Sequence, residues 1–182
     1  MADTQISIAE YMLQKKWLVD QKIERKRYMH RLARNSRQDP DIASKIGGML
    51  IYNQLIEQYL SDIVYTSIQY IKAEMWPVSA SLEVELDKST FGKIIDYFQE
   101  FAIIEDSRAQ ILAHLKRFNT KRNQVVHDLF DIPDLHQLGR ELDDYAKLAD
   151  EILRLLENYD RQIDTRFQQL AQRVNFRQYR NT

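Results

Sequence analysis

The stretch that decides the fold is IASKIGGMLIYNQLIEQYLSDIVYTSIQYI, residues 42–71. Its apolar side chains recur every three or four residues, the spacing that places them on one side of an α-helix. The members of this apolar stripe are Ile42, Ile46, Met49, Leu50, Ile56, Leu60, Ile63, Val64 and Ile71. We therefore predict one long helix that begins at Asp39 or Asp41 and ends near Trp76, because Pro77 cannot continue it.

Four tyrosines are interleaved with this stripe: Tyr52, Tyr59, Tyr65 and Tyr70. Tyrosines at helical spacing line a core or a helix–helix contact more often than they form a ligand site. Core lining is the interpretation that we favour, and a binding role for these tyrosines is the alternative.

Further helices are expected on both sides of this stretch. Upstream, the capping pattern from Ser7 to Glu10 begins a helix that runs to about Arg34 and is rich in Lys and Arg. Its basic face either pairs with acidic residues of the last helix or guides RNA electrostatically. Downstream, Thr90 can cap a helix over residues 91–101.

The second half of the sequence predicts two more helices. Asp106 or Ser107 can cap one that continues to Phe130. The last helix runs from Pro133 to about Arg173, roughly 60 Å at 1.5 Å per residue. Because such a rod is longer than a compact bundle, we expect its outer half to pack on the N-terminal helix or on a second subunit. The fold class is therefore all-α, a helical bundle with long N- and C-terminal helices.

Composition limits the classes of function. The chain has a formal net charge of -1, so a nucleic-acid contact would require a local basic patch rather than bulk charge. It contains no Cys, which excludes disulfides and thiolate metal sites. No stretch is apolar and long enough to span a bilayer, and the N-terminus lacks the pattern of a secretion signal. These features predict a cytoplasmic protein with no membrane partner.

The stretch with the most chemistry is FNTKRNQVVHD, residues 118–128. On a helix, Asn123 and His127 share a face because they are four residues apart. Arg122 lies about 140° around the helix from His127. An imidazole can transfer protons near neutral pH, and a guanidinium can hold a phosphate through paired hydrogen bonds. No metal or cofactor is needed if the nucleophile is the 2′-hydroxyl of RNA itself.

The segment from Arg122 to His127 resembles the motif of the HEPN superfamily, an Arg followed by four to six residues and then His, with a polar residue after the Arg. The segment Thr90–Ile95 is similar to one that precedes the motif in some defence-associated members. The resemblance covers about residues 40–160. It implies a HEPN-like domain over residues 37–160, between a basic N-terminal helix (1–36) and a C-terminal helix extension and tail (161–182).

The resemblance also implies an activity. It assigns Arg122, Asn123 and His127 as catalytic residues, and Lys121, Arg122 and Gln124 as contacts to single-stranded RNA. The expected protein is a homodimeric, metal-independent endoribonuclease of defence or toxin type, in which two motif helices line one cleft. An inhibitory partner protein is a further candidate partner. Leu129 stands where certain toxins of this superfamily carry a tyrosine that their antitoxin modifies, so this mode of control is not expected.

Other histidines fit a looser form of the motif. Arg25 precedes His30, and Arg108 precedes His114, but we interpret both pairs as structural. His136 follows a proline and reads as a residue of the first turn of the last helix.

Two functional alternatives remain at this stage. The chain can be a non-catalytic helical module that binds RNA or nucleotide or mediates dimerisation, or a coiled-coil scaffold. Alternating Glu83, Glu85 and Asp87 could bind a metal, although solvated charge is the interpretation that we favour.

Overall fold

The computed structural model describes residues 24, 26–31, 33–34, 41–75, 84–86, 89–128 and 135–180. No β-strand occurs in these residues, and nearly all of them are helical. The helices are α1 (Ile42–Glu74), α2 (Phe91–Phe101), α3 (Glu105–Asp128) and α4 (Leu135–Arg180). Residues 24, 26–31 and 33–34 are also helical and are called the N-terminal segment. The predicted all-α bundle is therefore confirmed.

Helix α1 is the centre of the bundle and packs against both α2 and α4. Its predicted start is confirmed, since the Asp41 side chain caps it by accepting a hydrogen bond from the Ser44 amide at 3.1 Å. The helix ends at Glu74, and Trp76 lies outside the described residues. One member of the predicted stripe was wrong: Leu50 is 54 % exposed, and Tyr52 is among the residues that fill the core instead.

Helix α2 begins at its predicted cap, whereas α3 begins earlier than predicted. Thr90 caps α2, its hydroxyl accepting from the Lys93 amide, and the predicted bounds of α2 are confirmed. The predicted start of α3 was late, because the helix already begins at Glu105. Acidic side chains in a first turn stabilise the positive end of a helix, and Glu105 and Asp106 both stand there. The predicted continuation from Asp128 to residue 130 lies outside the described residues.

Helix α4 has 46 residues and continues to Arg180, beyond the predicted end. In its outer half, Ile163, Phe167 and Leu170 are buried against its own chain. Phe167 meets the ring of Tyr70 edge-on at 5.4 Å, and Arg166 Nη1 donates to the backbone oxygen of Ile103 at 2.8 Å. Ile163 is fully buried in the same core as α1, and α4 runs without a break through residue 160.

Polar side chains cross the interface between α1 and α4, which we call the α1–α4 seam. Tyr52 donates its hydroxyl hydrogen to Asp150 Oδ1 at 2.9 Å, and Tyr145 donates to Asn53 Oδ1. Lys45 Nζ donates to Asp143 Oδ1 at 2.9 Å, and Tyr59 donates to Glu157 at 3.4 Å. The partners lie on opposite helices, so these bonds fix the register between α1 and α4. The tyrosines Tyr52, Tyr59 and Tyr70 therefore line the core, as predicted, whereas Tyr65 is 50 % exposed.

The N-terminal segment docks on this seam. His30 Nε2 lies 3.1 Å from Asp150 Oδ1 of α4. Lys26 is buried instead of solvated, because its Nζ lies 3.1 Å from Asp62 Oδ2 of α1 and 3.4 Å from the centroid of the Tyr59 ring. Of the helices in the described part of the chain, none combines the length and the apolar character needed to cross a membrane.

Candidate functional site

Helix α3 is held against the core by one side. Leu115, Phe118 and Val125 are buried on that side. The Phe118 ring lies 4.9 Å from the ring of Tyr145 on α4 and 5.9 Å from the ring of Phe91 on α2, measured between centroids. These aromatic contacts fix the rotation of α3 about its own axis, so they determine which motif residues face solvent.

Arg122 belongs to the inner flank of α3. It stands four residues after Phe118 and three before Val125, and it is half-buried. Its guanidinium carbon lies 5.5 Å from the centroid of the Phe91 ring, within the range of a cation–π contact. The same charge acts on Tyr145: burial raises the pKa of this phenol, and the nearby Arg122 and the bond to Asn53 oppose that rise.

Asn123 and His127 lie together on the outer face of α3, as their spacing predicted. Both side chains are exposed, and no described residue is hydrogen-bonded to either. The imidazole is therefore open to a phosphate. Arg122 is not beside it, because the two positions differ by about 140° around the helix. A single chain thus brings Asn123 and His127 together but leaves Arg122 on another side of α3.

The two other predicted RNA contacts border an open groove between α3 and α4, which we call the α3–α4 groove. Lys121 and Gln124 contribute to its α3 wall, and Lys121 forms an ion pair with Glu141 of α4. The groove has a volume of about 570 Å³. The residues that line it are Arg117, Thr120, Lys121, Gln124, Asp144, Lys147, Leu148 and Glu151.

The charge of α3 is a signal that the Arg–His motif does not contain. Residues 107–127 contain Lys or Arg at positions 108, 116, 117, 121 and 122, and no Asp or Glu. In the whole chain the two signs are nearly balanced, at 26 Lys and Arg against 27 Asp and Glu. Arg108 and Lys121 pair with Glu105 and Glu141, so Lys116 and Arg117 are the exposed cations of α3 that have no described carboxylate partner.

The other histidines have surroundings that agree with a structural role. His30 is half-buried and bonded to Asp150, and Arg25 lies outside the described residues. His114 Nδ1 donates to the backbone oxygen of Gln110 at 2.9 Å.

Arg108 and His136 also have partners. Arg108 pairs with Glu105 at 3.0 Å within its own helix. His136 is exposed in the first turn of α4, where it was predicted, and it has a partner.

Metal binding was the alternative for the acidic alternation at residues 83–87. Only Glu85 of its three carboxylates is described, since Glu83 and Asp87 lie outside the described residues. Within the residues that the structure covers, no group of three or more His, Asp or Glu side chains could hold a metal ion.

Comparison of the chain with protein-family models, with curated proteins and with solved structures finds no match in any of the three, so the resemblance to HEPN domains depends on the residues themselves.

Proposed function

We propose that the protein is a metal-independent endoribonuclease of defence or toxin type that cleaves single-stranded RNA as a homodimer. His127 is the proton-transfer group, and Arg122 and Asn123 hold the phosphate. The observation that carries the proposal is an imidazole and an amide exposed together on a helix whose residues 107–127 contain cations and no carboxylate. RNA is the substrate class because it brings its own nucleophile.

The reaction requires two proton transfers. The 2′-oxygen attacks the adjacent phosphorus as its proton passes to a base, and the bond from phosphorus to the 5′-oxygen breaks as that oxygen gains a proton. The products are a 2′,3′-cyclic phosphate and a 5′-hydroxyl. His127 of one subunit takes the first proton and the imidazole of the other subunit gives the second. A guanidinium stabilises the charge that develops on the phosphate oxygens.

A dimer is required because of where α3 places Arg122. In one chain this side chain and His127 lie on different sides of the helix. A two-fold axis beside α3 would place the same surface of two copies face to face, so that each Arg122 approaches the other copy's His127. Val126 favours this contact, since it is an apolar side chain, 47 % exposed, between the two motif residues in sequence.

A second candidate function is a helical module that binds RNA without cleaving it. The observation that favours it is the position of the Arg122 guanidinium, held over the Phe91 ring instead of beside the imidazole. In this case the basic face of α3 binds phosphates and no proton transfer occurs.

The test is cleavage of a 5′-labelled single-stranded RNA in EDTA, with the new 3′ end of the labelled fragment identified chemically. We expect 2′,3′-cyclic phosphate ends, and a fall of about 100-fold or more in rate for His127→Ala, the loss of a general acid–base group. Arg122→Ala should lose a similar factor. The matched control is His114→Ala, a second histidine of the same helix that is bonded to its own backbone, and it should cut at the normal rate.

The possible results test the site assignment and distinguish cleavage from binding alone. Cutting that persists in both His127→Ala and Arg122→Ala would reject the site assignment. A wild-type protein that binds RNA but leaves it intact supports the second candidate. A wild-type protein that neither binds nor cuts RNA rejects both.

A further inference from the structure

We propose that the α3–α4 groove is the nucleotide subsite next to the cleaved phosphate, and that Glu151 selects guanine there. The inference rests on the proposed function, since it takes RNA as the ligand. In this arrangement the sugar–phosphate backbone lies along the α3 wall of the groove and the base lies against the α4 wall.

The α3 wall suits a phosphate backbone. Arg117, Thr120, Lys121 and Gln124 line it, at the spacing of one helix face, and none of them is acidic. His127 follows Gln124 by three residues, a rise of about 4.5 Å along the helix. A strand with its scissile phosphate at the imidazole therefore enters the groove directly.

The charges inside the groove leave two groups free for a ligand. Lys121 is paired with Glu141, and Lys147 Nζ lies 2.9 Å from Asp144 Oδ1, a contact that lowers the pKa of Asp144. Arg117 and Glu151 both line the groove, and neither has a charged partner among the described residues. The free cation stands on the α3 wall, and the free carboxylate stands on the α4 wall.

This separation of charge fits a nucleotide in one orientation. A guanidinium on the α3 wall can bind a phosphate. Leu148 also lines the groove, and its side chain is buried in the core below. A groove of about 570 Å³ lies within the size range of small-ligand sites.

The carboxylate determines which base fits. Single-stranded RNA is read on the Watson–Crick edges of its bases. Guanine presents two adjacent donors on that edge, N1–H and N2–H, which match the two acceptor oxygens of Glu151. Adenine and cytosine each offer one amino donor beside an acceptor nitrogen that repels a carboxylate. Uracil offers one N–H between two carbonyl oxygens. Guanine is therefore the preferred base.

The test measures the binding of short fluorescent RNAs in EDTA, by anisotropy, in a His127→Ala background that leaves them uncut. The RNAs are identical except for one base next to the scissile phosphate, which is guanine in one RNA and adenine in the other. Glu151→Gln should reduce the preference for guanine over adenine by about tenfold, the size expected for one paired base contact. Arg117→Ala should weaken both RNAs equally and lower the salt dependence by about one counterion.

Matched controls are Glu100→Gln and Lys72→Ala, which change the same kinds of charge on α2 and α1, away from the groove. Both controls should leave the preference for guanine and the salt dependence of binding unchanged. A guanine preference that survives Glu151→Gln would overturn the role of Glu151. Equal binding by Arg117→Ala and its control would overturn the groove as the RNA path, even if the wild-type protein cuts RNA. A wild-type protein that neither binds nor cuts RNA would reject the proposed function itself.

Discussion

Two histidines of this chain each follow an arginine by five positions, yet their surroundings differ. His30 is half-buried where the N-terminal segment meets the α1–α4 seam, and its Nε2 is 3.1 Å from Asp150 Oδ1. His127 is exposed on the outer face of α3, where no described residue is hydrogen-bonded to it. The five-residue spacing therefore occurs once at a hydrogen-bonded, half-buried histidine and once at a histidine exposed to solvent.

The surroundings of a motif, and not its spacing, therefore decide what its histidine can do. At the seam, His30 and Tyr52 both bond to Asp150, so the imidazole has a structural task. On α3, the stabilising contacts are made by the inner side, through Phe118, and the outer face contributes little to folding. A group that does not stabilise the fold is free to act on a ligand.

The largest expected effect on stability separates the two sides of α3. Phe118 is fully buried between Phe91 and Tyr145, so Phe118→Ala should lower the free energy of unfolding by about 3–5 kcal/mol. Asn123→Ala, five residues later on the exposed face, should change it by less than about 0.5 kcal/mol. Urea unfolding followed by circular dichroism measures both. Equal losses would mean that the outer face is packed against something.

A smaller loss is expected at the seam. Asp150→Ala removes the acceptor shared by His30 and Tyr52, and it leaves the half-buried His30 imidazole without this partner. An unsatisfied donor costs about 1–3 kcal/mol, and we expect a loss in that range. The same urea titration tests it. A variant as stable as the wild type would show that these bonds do not hold the N-terminal segment in place.

The bundle should also lose stability at alkaline pH. Burial raises the pKa of Tyr59, Tyr145 and Tyr159 above the ordinary value of 10.0. Because the folded state favours the neutral phenol, this contribution is complete below pH 10 and is lost as the pH rises above it. Tyrosinate absorbance should therefore show these three side chains ionising only as the protein unfolds. If all the tyrosines titrate before the circular dichroism changes, the prediction fails.

The smallest effect is expected for an exposed pair. The hydrogen bond and the charge of Lys147 lower the pKa of Asp144, so any stabilisation is present above the ordinary pKa of an aspartate and is lost as the pH falls through the lowered value. Since Asp144 is exposed, we expect Asp144→Asn to leave the thermal midpoint unchanged at pH 7. A clear fall in the midpoint would show that this pair is more than a surface contact.

Much of the fold was predictable because local signals and the tertiary structure agree. The cap at Thr90 and the apolar spacing after it gave the bounds of α2, and the cap at Asp41 gave the start of α1. Leu50 was misplaced because a stripe read at three-to-four spacing does not fix which flank of a helix stays outside.

The candidate site was predictable only in part. Four-residue spacing placed Asn123 and His127 on one face. The inward position of Arg122 follows from its spacing to Phe118 and Val125, but only after these two are known to face the core. The α3–α4 groove depends on how two helices pack, which no local pattern encodes.

The catalytic role of His127 and the structural role of His30 are tested by comparing His127→Ala with His30→Ala. Each variant is measured for RNA cleavage in EDTA per folded molecule and for thermal stability. We predict that His127→Ala loses cleavage by about 100-fold or more and keeps its melting temperature. His30→Ala should melt at a lower temperature and cut at the normal rate while folded. Cleavage by His127→Ala at the wild-type rate would contradict the catalytic role of His127. Loss of cleavage in His30→Ala without loss of stability would contradict the structural role of His30.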